Sequence, residues 1–329
     1  MLLIAFGGPQ GSDDIRPFLA NVLRGRRVSP ERIETVAHHY GIFGGISPIT
    51  ELTLQQADRL MAALAARGLD LPVYVGMRNW TPYLGETLAR MSRDGVRRAV
   101  GVIAAAHRSY SSCTQYRENI ASARQGLRGA GLHDVAVTHA GDWHLSDGFI
   151  QANVEHLEAA LESLPAEVRS RAEIVFTAHS IPVAMADRYP YVRQIEASAA
   201  AVIQVLSQHR AQAAGSQPGV EPVVWHLVYQ SRSGRPEDPW LGPDVCDHLR
   251  ASAARQAPAV VLCPIGFVCD HIEVLYDLDV EAAAVAHELR LPLARASAVN
   301  IHPRFIEALA DAVVHTLNIY RRGTPLPIV

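Results

Sequence analysis

The chain has 329 residues and 49% of them are hydrophobic, enough for one large or two ordinary domains with buried cores. Its formal net charge is −3, which argues against a protein that tracks nucleic acid by positive charge. All 30 basic residues are arginine, so the phosphate-loop lysine, Schiff-base chemistry and Ser-x-x-Lys acyl enzymes are excluded together.

In chain order, residues 2–6 form a short apolar run that ends at Gly7-Gly8-Pro9, a first strand and tight turn rather than a signal peptide. No apolar run approaches the ~20 residues of a membrane-spanning helix, so a cytoplasmic location is expected. An amphipathic helix follows over residues 52–66, with Ala57, Leu60, Met61 and Leu64 on one side. Strands are predicted at 73–76, 100–105 and 135–139, with a helix at 118–127. The alternation then repeats: helix 154–164, strand 174–177, helix 192–206, a loop over 212–222 and strand 223–229. Strand 260–263, helix 280–289, strand 292–295 and helix 305–319 complete the chain.

Strands separated by helices imply right-handed crossovers and parallel sheets buried on both faces. The pattern predicts an α/β fold of two Rossmann-like, doubly wound lobes, residues 1–145 and 146–300. The helix within 301–329 is expected to pack back on the first lobe. Ligands of such sheets sit outside the carboxyl ends of the strands, so chemistry is sought just after each strand.

After strand 100–105 come His107, several hydroxyls and Cys113. Strand 174–177 runs directly into His179, and Pro182 blocks an early helix. A histidine there suits a general base or a metal ligand. After strand 223–229 come Arg232 and Trp240, a guanidinium and an aromatic surface suited to a flat anionic ligand. After strand 260–263, Pro264 and Gly266 turn the chain, and a helix is predicted to start near Asp270 with His271 in its first turn. Glu273, Asp277 and Glu281 then recur every four residues, drifting only about 40° per step on an α-helix. Such a row of hard oxygen donors leading to a histidine reads as a path for a divalent cation, and a π-bulge would remove the drift.

Together, Thr177-Ala-His-Ser-Ile-Pro182, Gln230-Ser-Arg with Pro239-Trp-Leu-Gly-Pro243, and Pro264-Ile-Gly-Phe-Val-Cys-Asp-His-Ile-Glu-Val-Leu-Tyr-Asp277 resemble the ferrochelatase family in order and spacing. Gly44-Gly-Ile-Ser47-Pro48 also fits. The resemblance implies two Rossmann-like lobes with a porphyrin cleft between them, and a lyase that inserts Fe²⁺ as substrate in haem biosynthesis. It implies His179 and Glu273 as catalytic residues and metal contacts placed across the ring from each other, with Asp277 and Glu281 as outer acidic positions. Ser47, His107 and Trp240 are expected near the porphyrin. Its propionates need cationic partners, which without lysine are arginines or backbone amides, so Arg24, Arg26, Arg27 and Arg232 are candidates. The cluster near residue 24 reads equally as a solvated surface.

The texture of the sequence, including Ser111-Ser-Cys-Thr-Gln-Tyr-Arg117, is most similar to Gram-positive, actinobacterial members. Coproporphyrin III is therefore expected ahead of protoporphyrin IX. Cys113 matches a cluster-ligand position of iron–sulfur relatives, but their other cysteines lie in a C-terminal extension that is not present here, so a [2Fe–2S] cluster is the lesser expectation. A cytoplasmic monomer is expected, with other haem-synthesis enzymes as further partners and no nucleic acid. The competing readings are a cobalt or nickel tetrapyrrole chelatase and a non-catalytic porphyrin or haem carrier. The carrier is disfavoured because it would have no use for both His179 and Glu273.

Overall fold

A computed structural model describes residues 1–25, 28–214, 222–234 and 237–321. The candidates Arg26 and Arg27 and the C-terminal tail lie outside the described residues. The described strands form two parallel sheets of the same topology. β1 (Leu2–Ala5), β2 (Tyr74–Met77), β3 (Arg98–Ile103) and β4 (Ala136–His139) are ordered β2-β1-β3-β4. β5 (Glu173–His179), β6 (Trp225–Gln230), β7 (Val260–Cys263) and β8 (Leu293–Arg295) are ordered β6-β5-β7-β8. All four residues of β1 and of β7 are buried, as expected of strands covered on both faces.

The chain divides into two compact units. Unit 1 comprises Met1–Ala105, Tyr110–Trp143 and the chain from Ile306 onward; unit 2 comprises Ala106–Ser109 and His144–Phe305. The last helix, Pro303–Arg321, enters unit 1 at Ile306, where Arg67 pairs with Glu307 and Asp311.

Among the described residues, four helices of eight residues or more were not expected from the sequence: Ile15–Val22, Pro30–Ile42, Leu84–Arg93 and Val245–Ala254. Pro30–Ile42 starts by a local device, Pro30 in the first turn and the Ser29 hydroxyl accepting from Arg32 N. Leu84–Arg93 buries Leu84, Leu88 and Met91, which at i, i+4 and i+7 form one face of the helix.

In unit 2 the sheet face formed by Val175, Val228, Val260 and Leu262 packs on Val245 and Leu249 and on Val274, Leu278, Ala282 and Ala286. That last row repeats every four residues, which an α-helix cannot keep in line without drifting about 40° per step. The chain meets the mismatch by widening its turns, and Leu275–Ala282 is π-helical between short α-helical ends.

Candidate active site

The chain leaves β5 for β6 on one side and later returns to β7 on the other. Such a reversal of strand order is where an open α/β sheet forms its ligand crevice, outside the carboxyl ends. His179 is the last residue of β5 and lies in register with Gln230, the last of β6. From β7 the chain climbs through residues 264–271 to the helix at Ile272. Gly266 lets that segment cross β5 closely. Its N–H donates to Thr177 O at 3.0 Å, and a Cβ there would meet Ala178 Cβ at 2.6 Å.

The Nδ1 of His179 is 2.5 Å from the Ser180 carbonyl oxygen, a contact that needs the ring proton on Nδ1 and leaves Nε2 bare in the neutral ring. Tyr191 donates its hydroxyl to the His179 carbonyl at 3.0 Å, and burial holds that phenol protonated. His179 Nε2 stands 3.8 Å from Glu273 Oε2, and His271 Nε2 stands 3.5 Å from the same oxygen. The two expected catalytic groups therefore share one face. Their expected placement across a ring is corrected, because a macrocycle needs about 3.5 Å on each face and so roughly 7 Å between sandwiching groups.

Asp277 accepts a hydrogen bond from the Ser231 hydroxyl and lies 3.5 Å from Gln230 Nε2. Gln230 also donates to Glu273 O at 3.1 Å and accepts from Thr177 Oγ1 at 2.7 Å, so one amide ties β5, β6 and the π-helix together. Ser231 is held at φ 60°, a left-handed conformation unusual for serine, which here aims its hydroxyl at Asp277. Burial pushes the Asp277 carboxyl up to about 7; the Ser231 hydrogen bond opposes this and the charges of Glu273 and Glu281 add to it. Glu273 and Asp277 are half-buried and Glu281 is exposed, so the acid row runs from solvent inward.

Asp270 does not begin the helix, as expected from sequence; His271 is its N-cap, in extended conformation. Asp270 instead receives hydrogen bonds from Arg295, Ala298 N and Asn300 Nδ2, and its own N–H donates to Asn300 Oδ1. Arg295 reaches on to Asp279 with two bonds, at 2.6 and 2.9 Å, clamping the π-helix to the turn before it.

Trp240 and its neighbours buttress the His179 loop. Trp240 bridges to Pro182, Ser180 donates its hydroxyl to Leu241 O at 2.7 Å, and Val183 N donates to Pro239 O at 3.0 Å. Arg232 is exposed and donates to the Asp238 carbonyl. His107 lies inside unit 2 at 2% exposure, its Nε2 3.1 Å from Ser198 Oγ, and burial holds its pKa down to about 3. It presents no surface to a ligand in this conformation, contrary to its expected role. Ser47 is also 2% exposed, packed in unit 1 against Gly8.

Arg24 lines a cavity of about 250 Å³ in unit 1, with Arg78, Asn21, Asn79, Gln115 and Asn119. Asn79 Nδ2, Gln115 Oε1 and Asn119 Oδ1 have no hydrogen-bond partner there. Two guanidinium groups among amides suit a carboxylate, and only Arg24 of this set was singled out from sequence. Cys113 is buried in a π-helical turn, Tyr110–Thr114. Burial pushes the Cys246 thiol up to about 12 and raises that of Cys263 as well.

Two parallel sheets of one topology, with an imidazole and a graded row of carboxylates at a switch point, define an α/β metal chelatase. SirB from Bacillus subtilis with Fe³⁺ has the same fold, with a TM-score of 0.57 at 10% identity over 99% of this chain and 98% of that one. The sequence goes further. The family described as Ferrochelatase matches residues 1–317. The Coproporphyrin III ferrochelatase of Streptomyces coelicolor (strain ATCC BAA-471 / A3(2) / M145) is 48% identical over 316 residues, 95% of this chain and 84% of that protein. The protein of the same description from Mycolicibacterium smegmatis is 42% identical over 334 residues, 100% of this chain and 93% of that protein. The chain belongs to the ferrochelatase family, lyases that insert ferrous iron into a porphyrin in haem biosynthesis. Among the described residues, no helix is long and apolar enough to cross a membrane.

Proposed function

We propose that the porphyrin is coproporphyrin III, so that the product is iron coproporphyrin. The observation that carries this reading is the kinship, at 48% identity over 95% of the chain, with a relative described by that substrate. The unit 1 cavity adds chemical support, since Arg24 and Arg78 offer cationic partners for propionates in a protein without lysine.

Insertion exchanges two pyrrole protons for one Fe²⁺. His179 Nε2, bare in the neutral ring, accepts a pyrrole proton, and Glu273 at 3.8 Å stabilises the imidazolium or takes the proton onward. Asp277, poised at about 7, accepts and releases protons near neutrality, and the exposed Glu281 returns them to water. The same carboxylate row attracts the hydrated cation. The four free cysteines suit a reducing cytoplasm.

The test is anaerobic Fe²⁺ addition to enzyme with coproporphyrin III or protoporphyrin IX, followed by porphyrin absorbance. A higher kcat/KM for coproporphyrin III is expected; equal or reversed preference refutes the substrate assignment.

A further inference from the structure

At the opposite end of the unit 2 sheet from His179, three potential metal ligands converge. Glu173 opens β5, and His179 closes it six residues later, about 20 Å away along an extended strand. His226 pairs in register with Val175, and the side-chain alternation of strands puts Glu173, Val175 and His226 on one face. That face is covered by the helix Val245–Ala254, which brings His248 down onto it.

One donor atom from each of Glu173, His226 and His248 lies within 4.8 Å of the other two. His248 Nε2 is 3.8 Å from Glu173 Oε2, and the two imidazole rings stand 4.7 Å apart at 53°. His248 is 7% exposed and its Nε2 is buried with no hydrogen-bond partner. A buried ring nitrogen is normally satisfied, so a vacant one aimed at a carboxylate and a second imidazole points to a missing ligand. Glu173 is steadied by Ser252 Oγ at 2.8 Å and by Arg255 at 3.4 Å, the outer support that ligating carboxylates commonly have.

We propose that Glu173, His226 and His248 form a second divalent-metal site, of the zinc class, that cross-links β5, β6 and the helix covering them. Two imidazoles and one carboxylate match a zinc donor set with room for water. Tetrahedral bonds of about 2.0–2.2 Å set donors about 3.5 Å apart. The His248–Glu173 pair at 3.8 Å would therefore close by a few tenths of an ångström, and a pair at the 4.8 Å bound by about 1.3 Å, which side-chain rotation supplies. Ferrous iron stands below zinc in affinity for such a site, so the substrate metal does not displace it.

The test uses the full-length, metal-free enzyme with Zn²⁺ alone as probe. Anomalous diffraction at the zinc edge from soaked wild-type crystals should give a peak touching all three residues; zinc confined to His179 and Glu273 would overturn the site. In solution, His226→Asn and His248→Gln should each bind one fewer zinc per chain than wild type by equilibrium dialysis. Both should also lose part of the zinc-induced rise in Tm, with iron insertion in zinc-free buffer unchanged. Equal zinc stoichiometry in wild type and both variants would overturn the proposal.

Discussion

His179 Nε2 and Glu273 Oε2 stand 3.8 Å apart on one face of unit 2, with the ring proton of His179 fixed on the far nitrogen by the Ser180 carbonyl. A pair this close works as a relay rather than as two jaws. Its placement depends on Gly266 beneath β5, on Asp270 and Arg295 at the turn, and on the π-helix that keeps the acids in line.

Asp277 gives a pH signature whose sign is fixed. Its folded pKa, about 7, lies above the ordinary 3.8 of an aspartate in the unfolded chain, so the folded state binds more protons between those values. Stability therefore falls as pH rises from about 4 to about 7 and stays lower above that. Asp277→Asn removes this burden while keeping an acceptor for Ser231. The variant should gain Tm relative to wild type near pH 8 and gain little near pH 4. An equal change at both pH values would contradict the assignment. Metal insertion by the variant should be slower above neutrality.

Gly266→Ala places a methyl carbon where Ala178 Cβ is 2.6 Å away. Either β5 or the following turn must shift, and the shift falls on His179 one residue further on. A fall in kcat of about 10²-fold is expected with the fold retained by circular dichroism, since misplacement by ~1 Å is enough for that loss.

Arg295→Met leaves Asp270 and Asp279 without their shared guanidinium. Asp270 and Arg295 are only 14% and 17% exposed at the side chain, so the loss is that of a mostly buried pair. Urea unfolding should show about 3 kcal/mol less stability. A change below about 1 kcal/mol would mean the clamp is a surface pair.

The strands were legible because they are short, β-branched and buried on both faces, and β7 was bounded to the residue at Val260–Cys263. His179 and the acid row were legible because a strand end and a repeat of four can be read along one line of sequence. The repeat also contained its own solution, since Val274, Leu278, Ala282 and Ala286 share the spacing and require the same widened turn. What could not be read depends on three dimensions. Nothing local shows that His271 caps its helix in extended form and reaches Glu273, or that Asp270 faces Arg295 across residues 270–295. The burial of His107 by Ser198 and the meeting of His226 with His248 depend on register and on which face a helix covers. The backbone bridge from Trp240 to Pro182 is likewise unreadable locally, because an aromatic between prolines carries no sign of the loop it supports.

The most direct measurement is single-turnover iron insertion by His179→Ala, Glu273→Gln and the double variant, with porphyrin binding followed separately. Each single variant should bind porphyrin yet insert iron about 10²–10⁴-fold more slowly, and the double should be little worse than the slower single. Near-normal turnover in either single variant, or losses that multiply in the double, would contradict a shared relay on one face.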